Sequence, residues 1–192
     1  NVLRSVALSQ DAPDVWGLGF DLVKYFDEIE WPDALVRTLY MNLLENLANG
    51  GPIQAADKIH QDATEWASER QDKDMTAWLC FTGSRLDARR QDLYRAKDRA
   101  NDALKLYSAL ENTQKCAEIH NHLAAVELQD GNAEEAMNQV NKAIEVGQID
   151  GPEGQKVLTP QVFAHAEQIR GLIARRSGDP KAAIQHFKNA ND

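Results

Sequence analysis

Histidine and cysteine are the residues of this 192-residue sequence best suited to nucleophilic or metal chemistry, and there are five of the first and two of the second. His120 and His122 are two positions apart, so on one helix they would point to different faces. The spacings typical of zinc and calcium sites, such as H-E-x-x-H, C-x-x-C or an EF-hand loop, do not occur. The sequence therefore predicts no metal site and no cofactor. It also predicts that Cys80 and Cys116 are free thiols in a reducing compartment.

Other catalytic patterns are also missing. The stretch "GLGFDL" at 17–22 has no preceding strand and no third glycine, so it is not a dinucleotide fingerprint. No G-x-S-x-G elbow or phosphate-binding loop occurs. Acidic pairs such as Glu134-Glu135 stand next to predicted helix starts, where they favour the helix dipole. We therefore expect no catalysis by these residues. The sequence starts without methionine and stops within a helical pattern, as a fragment of a longer chain would. Enzymatic activity is therefore kept only as a hypothesis about the rest of such a chain.

Composition and charge restrict the class of protein further. Apolar residues make up 43% and charged residues 27%, and the net charge is −9. An acidic protein is a poor general binder of phosphate backbones, so we expect no nucleic-acid partner. No apolar run approaches membrane-spanning length and no signal peptide is visible, so we expect a cytoplasmic protein without membrane insertion. The charge is nevertheless uneven, and a cluster of basic residues is compatible with a local basic patch on the surface. The cluster consists of Arg85, Arg89, Arg90, Arg95, Lys97 and Arg99.

The elements that would position these side chains are repeated helical hairpins. Residues 122–147 read "HLAAVELQDGNAEEAMNQVNKAIEVG" and resemble the segment that ends the chain. When Gly131 is aligned with Gly178, small residues and apolar residues coincide in pairs: Ala124 with Gly171, Ala136 with Ala183, Val140 with Phe187, and Ala143 with Ala190. Two helices that turn at a glycine would produce this pattern.

The period extends backwards along the chain. The marker alanines are Ala56, Ala96, Ala136 and Ala183, so the steps are 40, 40 and 47 residues. Helix-forming residues dominate, and no alternation of apolar and polar residues is long enough to predict a sheet. A period of this size in an all-helical sequence indicates stacked helical hairpins.

These positions resemble the tetratricopeptide repeat (TPR), in the long version of about 40 residues, although the usual leading tryptophan is replaced by His120 and Glu167. The resemblance implies an all-α, right-handed solenoid of stacked antiparallel helical hairpins. We expect one helical-repeat domain over 1–192. It would comprise an N-terminal helical segment at 1–33, repeats at about 34–74, 75–112, 113–148 and 160–192, and an inserted loop at 149–159.

Physical reasons support several of these assignments. Antiparallel helices 8–10 Å apart need small side chains where they cross, so we place Ala124 and Ala136 at a crossing and Ala143 at the contact with the next hairpin. Gly131 is expected in the left-handed conformation. Asp179 followed by Pro180 predicts a helix start. The Gly-Pro-Glu-Gly stretch of the insert predicts a loop, either a solvent-exposed connector or a binding loop.

The resemblance further implies that the first helix of each hairpin lines a concave groove. Carried onto this sequence, it gives a set of candidate partner-binding residues: Trp78, Phe81, Arg85, Arg89, Asn121, Gln168, Arg175 and Arg176. Aromatic and arginine side chains are favoured at protein interfaces. Two alternatives stay open at this point. Trp78 and Phe81 would instead pack against the preceding hairpin, and the arginines would be solvated charges.

The sequence therefore predicts a non-catalytic scaffold or adaptor that binds a segment of a partner protein and belongs to a larger assembly. The arginines favour a partner with acidic residues. Chaperone-binding members of the family bind a peptide's terminal carboxylate with a set of lysine, asparagine and arginine residues. This sequence does not reproduce the set, and Asn121 is the one residue that matches a member of it. The alternative is a sensor or regulatory arm that binds a small ligand or signal peptide and controls an attached domain.

Overall fold

A computed structural model describes residues 31–150 and 156–191 of the chain. The predicted N-terminal helical segment thus lies almost wholly outside the described residues. The described part divides into two compact units, with the division between Leu86 and Asp87. This division falls within one helix, and each unit is described by itself below.

The described residues form eight helices, and their order agrees with the four predicted hairpins. Their bounds are α1 Asp33–Gly50, α2 Ile53–Glu69, α3 Lys73–Arg89, α4 Leu93–Ala109, α5 Thr113–Gln129, α6 Ala133–Val146, α7 Pro160–Arg176 and α8 Pro180–Asn189. The predicted all-α class with successive helical hairpins is therefore confirmed. None of these helices is long and apolar enough to cross a membrane.

A short β-ribbon stands where the sequence predicted a loop. Strands β1 (Gln148–Asp150) and β2 (Lys156–Leu158) are antiparallel, with Ile149 opposite Val157. Each strand has only three residues, which is too short for the alternation that marks a strand in sequence. The inserted segment is therefore partly β-structure, and it connects α6 to α7.

Among the described helices, five of the connecting turns place one residue in the left-handed conformation. The residues are Gln71, Gln91, Glu111, Gly131 and Gly178, with φ of 51°, 64°, 54°, 89° and 79°. In each turn the next residue donates its backbone N–H to a carbonyl five positions earlier, as Asn132 does to Glu127 at 2.9 Å. This is the Schellman ending of a helix. The predicted left-handed Gly131 is confirmed, but three of the five turns use no glycine.

An aspartate or asparagine follows each left-handed residue, and it begins the next helix. The side chains of Asp92, Asn112 and Asp179 accept hydrogen bonds from backbone N–H groups three positions on, at 2.9–3.2 Å. Pro180 then takes the first helical position, as predicted. Because these bonds satisfy N–H groups that have no partner within the helix, they fix where each helix starts.

Small residues form the helix crossings of the second unit. Ala124, Ala136 and Ala143 are fully buried, as the sequence predicted. A core cluster joins α5, α6 and α7 around them, and its buried members are Ala124, Leu128, Ala136, Val140, Ala166, Ile169 and Ile173. The α5/α6 hairpin is thus packed internally and against the helix that follows it.

The first unit has its own core between α1 and α2. Leu44 and Leu47 from α1 and Ile59 from α2 are almost completely buried. Tyr40 and Trp66 lie with ring centroids 6.1 Å apart, and the Arg70 guanidinium covers the Trp66 ring at 4.6 Å. Leu44 occupies the position held by the small residues Ser84, Ala124 and Gly171 in the later hairpins, so this hairpin departs most from the repeat pattern.

Candidate functional site

The two aromatic candidates differ in how far they are buried. Trp78 is only 6% exposed, so its ring belongs to the core of the first unit and is not a contact surface. Its large apolar area makes such burial favourable. Phe81, one turn on, is half-buried. Of the two aromatic side chains predicted to line the groove, Trp78 is therefore buried and Phe81 is only partly accessible.

Arg85 is bound by α1 of its own unit. Its Nη1 atom lies 2.9 and 2.8 Å from the two carboxylate oxygens of Glu45, and its Nη2 atom donates to Asn49 Oδ1 at 2.7 Å. A partner carboxylate would have to displace Glu45, since the same guanidinium serves both. Arg89, one turn on, is half-buried and has interactions within the protein.

Asn121 joins two neighbouring helices. It is 3% exposed, and its Nδ2 atom donates to the backbone carbonyl of Val162 on α7 at 3.1 Å. The Asn121 side chain is therefore enclosed between α5 and α7. A sequence pattern cannot show this, since the bonded residues are 41 positions apart.

The remaining candidates lie on the surface of α7. Gln168, Arg175 and Arg176 are exposed. Arg176 donates through Nη1 to the backbone carbonyl of Leu128, near the end of α5. Helices α5 and α7 contact one another. The structure thus brings Gln168, Arg175 and Arg176 together on one helix beside α5.

The basic cluster of the sequence is mostly neutralised within the protein. In the second unit the buried carboxylate of Asp87 lies 2.8 Å from Arg90 and 3.2 Å from Arg99. Lys97 bonds Glu127 at 2.7 Å and Asp130 at 2.8 Å. Burial alone would lower the pKa of Lys97, but these two carboxylates raise it overall. Arg99 and Lys97 therefore connect neighbouring helices through ion pairs.

The same pair of positions is hydrogen-bonded in two consecutive hairpins, with a histidine on the first helix in one and on the second helix in the other. His120 Nδ1 is 2.7 Å from Gln139 Oε1, whose amide nitrogen donates to Glu135. Glu167 takes the place of His120 in the next hairpin, and His186 Nδ1 lies 2.9 Å from its carboxylate. Burial lowers the pKa of His120 below its ordinary value. The described residues contain no group of three or more metal-ligating side chains.

An open groove runs along α4. It is lined by Asp98, Asn101, Asp102, Leu104, Lys105 and Ser108 from α4 and by His120 from α5. Lys105 already pairs with Asp102 at 2.8 Å, so the groove combines charges of both signs. Sequence reasoning did not find this groove, because His120 and the α4 residues come together only in the packed helices. Neither Cys80 nor Cys116 forms a disulfide bond in the part of the chain that the structure describes.

Comparison with known proteins agrees with the architecture. No protein-family model and no curated protein matches the chain. Among solved structures, the chain is similar to BtubC (BKLC) from P. vanneervenii, with a TM-score of 0.68 and 17% sequence identity; the match covers 93% of this chain and 71% of BtubC. It is also similar to MamA, with a TM-score of 0.55 and 16% identity, over 92% of this chain and 84% of MamA. Likeness at such low identity concerns the fold alone, and it places this chain among helical-repeat structures.

Proposed function

We propose that this chain is a TPR-type, non-catalytic scaffold that binds a segment of a partner protein along its first helices. The observation that carries the proposal is the surface of α7. Gln168 and Arg175 are exposed there, beside the half-buried Leu172, although the other predicted contact residues are engaged or buried. A small apolar area with arginine and amide groups around it is typical of a protein interface.

The partner segment would carry an aspartate or glutamate. Arginine binds carboxylates through two parallel hydrogen bonds, and Arg175 has an exposed guanidinium for this purpose. Arg85 is a poorer candidate, because Glu45 already occupies its guanidinium. We place the protein in the cytoplasm, where free thiols such as Cys80 and Cys116 remain reduced.

The proposal is tested by capturing the partner and measuring its affinity. Proteins that co-purify with the full chain would be identified by mass spectrometry, and the dissociation constant would be measured by calorimetry. We expect Arg175→Glu to weaken binding at least about tenfold at low salt, and by less at high salt because salt screens the charges. Lys142→Glu is the matched control, since Lys142 is an exposed cation on the second helix α6.

A photo-cross-linking amino acid at Gln168 gives an independent measurement of the same surface. It should form adducts with the partner, whereas the same group at Gln185 on α8 should not. The proposal fails if Arg175→Glu and Lys142→Glu have equal effects, or if adducts form at Gln185 alone.

A second candidate function is a sensor arm for a small ligand, and the groove along α4 favours it. His120 Nδ1 is bonded to Gln139, and burial lowers the pKa of the ring and so favours its neutral form, which can accept a hydrogen bond. The measurement is thermal unfolding with a panel of small polar metabolites. A ligand that raises the melting temperature of the wild type, but not of His120→Ala, would support the sensor.

A further inference from the structure

The last turn of α1 contains the one asparagine of the sequence that is followed by glycine, Asn49 before Gly50. Both residues are exposed. The backbone nitrogen of a following residue can attack an asparagine side chain, and glycine hinders this attack least because it has no Cβ atom. Apart from the adjoining residues and the helix backbone, no atom lies within 4 Å of where a Cβ atom of Gly50 would be. A reactive pair of residues is therefore accessible here.

Two charged side chains contact the amide of Asn49. Arg85 on α3 donates through Nη2 to Asn49 Oδ1 at 2.7 Å, and Asn49 donates through Nδ2 to Glu45 Oε1 at 3.3 Å. Glu45 in turn accepts from Arg85 Nη1. Because a guanidinium only donates and a carboxylate only accepts, the oxygen of the amide faces Arg85 and its nitrogen faces Glu45.

This orientation of the amide favours its loss. When the Gly50 nitrogen attacks Asn49 Cγ, negative charge develops on Oδ1, and a guanidinium at hydrogen-bond distance stabilises that charge. The departing group is Nδ2, which must gain a proton. Glu45 is the carboxylate in contact with Nδ2, so it can take up the proton that the Gly50 nitrogen loses and pass it to the departing group.

We propose that Asn49 is a site of spontaneous deamidation, promoted by Arg85 and Glu45. The bond between the Gly50 nitrogen and Asn49 Cγ forms, the Gly50 nitrogen loses its proton, and the Cγ–Nδ2 bond breaks as ammonia leaves. The product is a cyclic succinimide. Water then adds to one of its two carbonyl groups: ring opening at Cγ gives aspartate, and ring opening at the backbone carbonyl gives isoaspartate. Water is the one co-reactant.

The position of Asn49 at a helix end makes the attack feasible. The last turn of α1 has to open, because the helical backbone holds the Gly50 nitrogen away from the side chain of Asn49. Helix ends open locally at little cost in free energy. The helix stops here, since Gly51 is extended, with φ −72° and ψ 175°, and Pro52 has no N–H group to continue it. The last turn of α1 also contains no basic residue that would favour the helix dipole.

Deamidation would change the charge around Arg85. The product has a carboxylate at position 49, four residues after Glu45, and like charges at this spacing on a helix repel each other. Arg85 would then lie between two carboxylates and be still less open to an acidic partner. The proposal does not depend on the proposed function, because that function rests on the surface of α7.

The test follows the amide of Asn49 by peptide mass spectrometry while the full chain is kept at neutral pH and constant temperature. Chromatography separates the aspartate and isoaspartate products. We expect Asn49 to convert faster than every other asparagine, and Arg85→Gln to slow the conversion at least about tenfold. Arg37→Gln is the matched control, because Arg37 also joins α1 to α3, through Asp74, but precedes Asn49 by three helical turns. Gly50→Ala should slow the conversion too, because its Cβ atom hinders the attack.

Two further measurements show whether the folded structure is responsible. Glu45→Gln should also slow the conversion, because an amide cannot carry the proton, and it replaces Arg85→Gln if circular dichroism shows that variant to be unfolded. In concentrated urea, the wild type, Arg85→Gln and Arg37→Gln should convert Asn49 at the same rate, because unfolding removes Arg85 from the amide.

Three results would overturn the proposal. The first is an equal rate for Arg85→Gln and Arg37→Gln in the folded protein, which would show that the guanidinium does not promote the reaction. The second is faster conversion in Arg85→Gln than in the wild type, which would show that Arg85 protects the amide. The third is an Asn49 that stays intact in the folded wild type but converts in urea, which would show that α1 keeps the site closed.

Discussion

The ring of Phe187 on α8 lies against Gly171 on α7, so closely that a Cβ atom at position 171 would be 2.6 Å from the Cε1 atom of the ring. In the preceding hairpin the same two positions hold Ala124 and Val140, and both are fully buried. The two hairpins thus fill the equivalent helix crossing with different pairs of side chains. A larger side chain on the second helix accompanies a smaller one on the first.

We predict that Gly171 and Phe187 are energetically coupled. Gly171→Ala gains about 1 kcal/mol of helix propensity but loses about 1–3 kcal/mol to overpacking against the ring, so alone it should destabilise the protein. In the Phe187→Val background the same change should stabilise by about 1 kcal/mol, because it recreates the alanine and valine pair. The coupling free energy is measured by urea denaturation of the wild type, the two single variants and the double variant. Equal effects of Gly171→Ala in both backgrounds would contradict it.

A second prediction concerns the crossing alanines. Ala136→Leu or Ala183→Leu should cost about 1–3 kcal/mol, because each alanine is buried where two helices meet and a larger side chain overpacks. Glu134→Ala is the control, since Glu134 is exposed on α6 and should change stability by less than about 0.5 kcal/mol. The measurement is the denaturant concentration at the unfolding midpoint of each of the three variants. Equal shifts of this midpoint would contradict the assignment of Ala136 and Ala183 to helix crossings.

A third prediction concerns the turn before α5. Glu111 has a φ of 54°, a conformation that costs a side chain about 1–2 kcal/mol and glycine almost nothing. Glu111→Gly should therefore stabilise the protein by about 0.5–1 kcal/mol, because glycine's greater freedom in the unfolded chain offsets part of the gain.

The control for this turn is Asn101→Gly, within the exposed part of α4. Glycine in a helix interior costs stability, so this variant should be less stable than the wild type. Thermal unfolding monitored by circular dichroism compares the two. A loss of stability in Glu111→Gly would show that the left-handed turn carries no strain that glycine relieves.

A fourth prediction concerns pH. Glu167 is buried, and burial alone would raise its pKa, but hydrogen bonds with His186, Asn189 and Arg170 lower the pKa below its ordinary value overall. A carboxyl group whose pKa is lower in the folded state contributes stability above the unfolded pKa. That contribution is lost as the pH falls through the folded pKa. Glu167→Gln should therefore reduce stability at pH 7 and flatten the decline below about pH 4.5.

Glu145→Gln is the control for Glu167, because Glu145 is exposed on α6. At pH 7 and at pH 3, the urea midpoint of this variant should equal that of the wild type at the same pH. If Glu167→Gln gave the pH profile of the wild type, the cluster of Glu167 with His186, Asn189 and Arg170 would contribute nothing to folding.

The order and turns of the helices could be predicted from the sequence because they depend on local spacing. Small residues recurring at 40 and 47 positions, such as Ala96 and Ala136, mark helix crossings wherever hairpins stack. Gly131 and the Asp179-Pro180 pair indicate their turns through backbone preferences alone. The turn at Glu111 was less visible, because a non-glycine residue in the left-handed conformation gives no distinct signal.

The tertiary structure decided which candidate residues are accessible. Trp78 and Asn121 stand at positions that a repeat pattern assigns to the surface, but both side chains are buried in the packed structure. Arg85 is held by Glu45, 40 positions away, and no local rule pairs two residues so distant. The sequence by itself determined where helices start, turn and cross, because these depend on neighbours along the chain. Only the packed helices decided which side chains are covered or paired, because burial and ion pairing depend on neighbours in space.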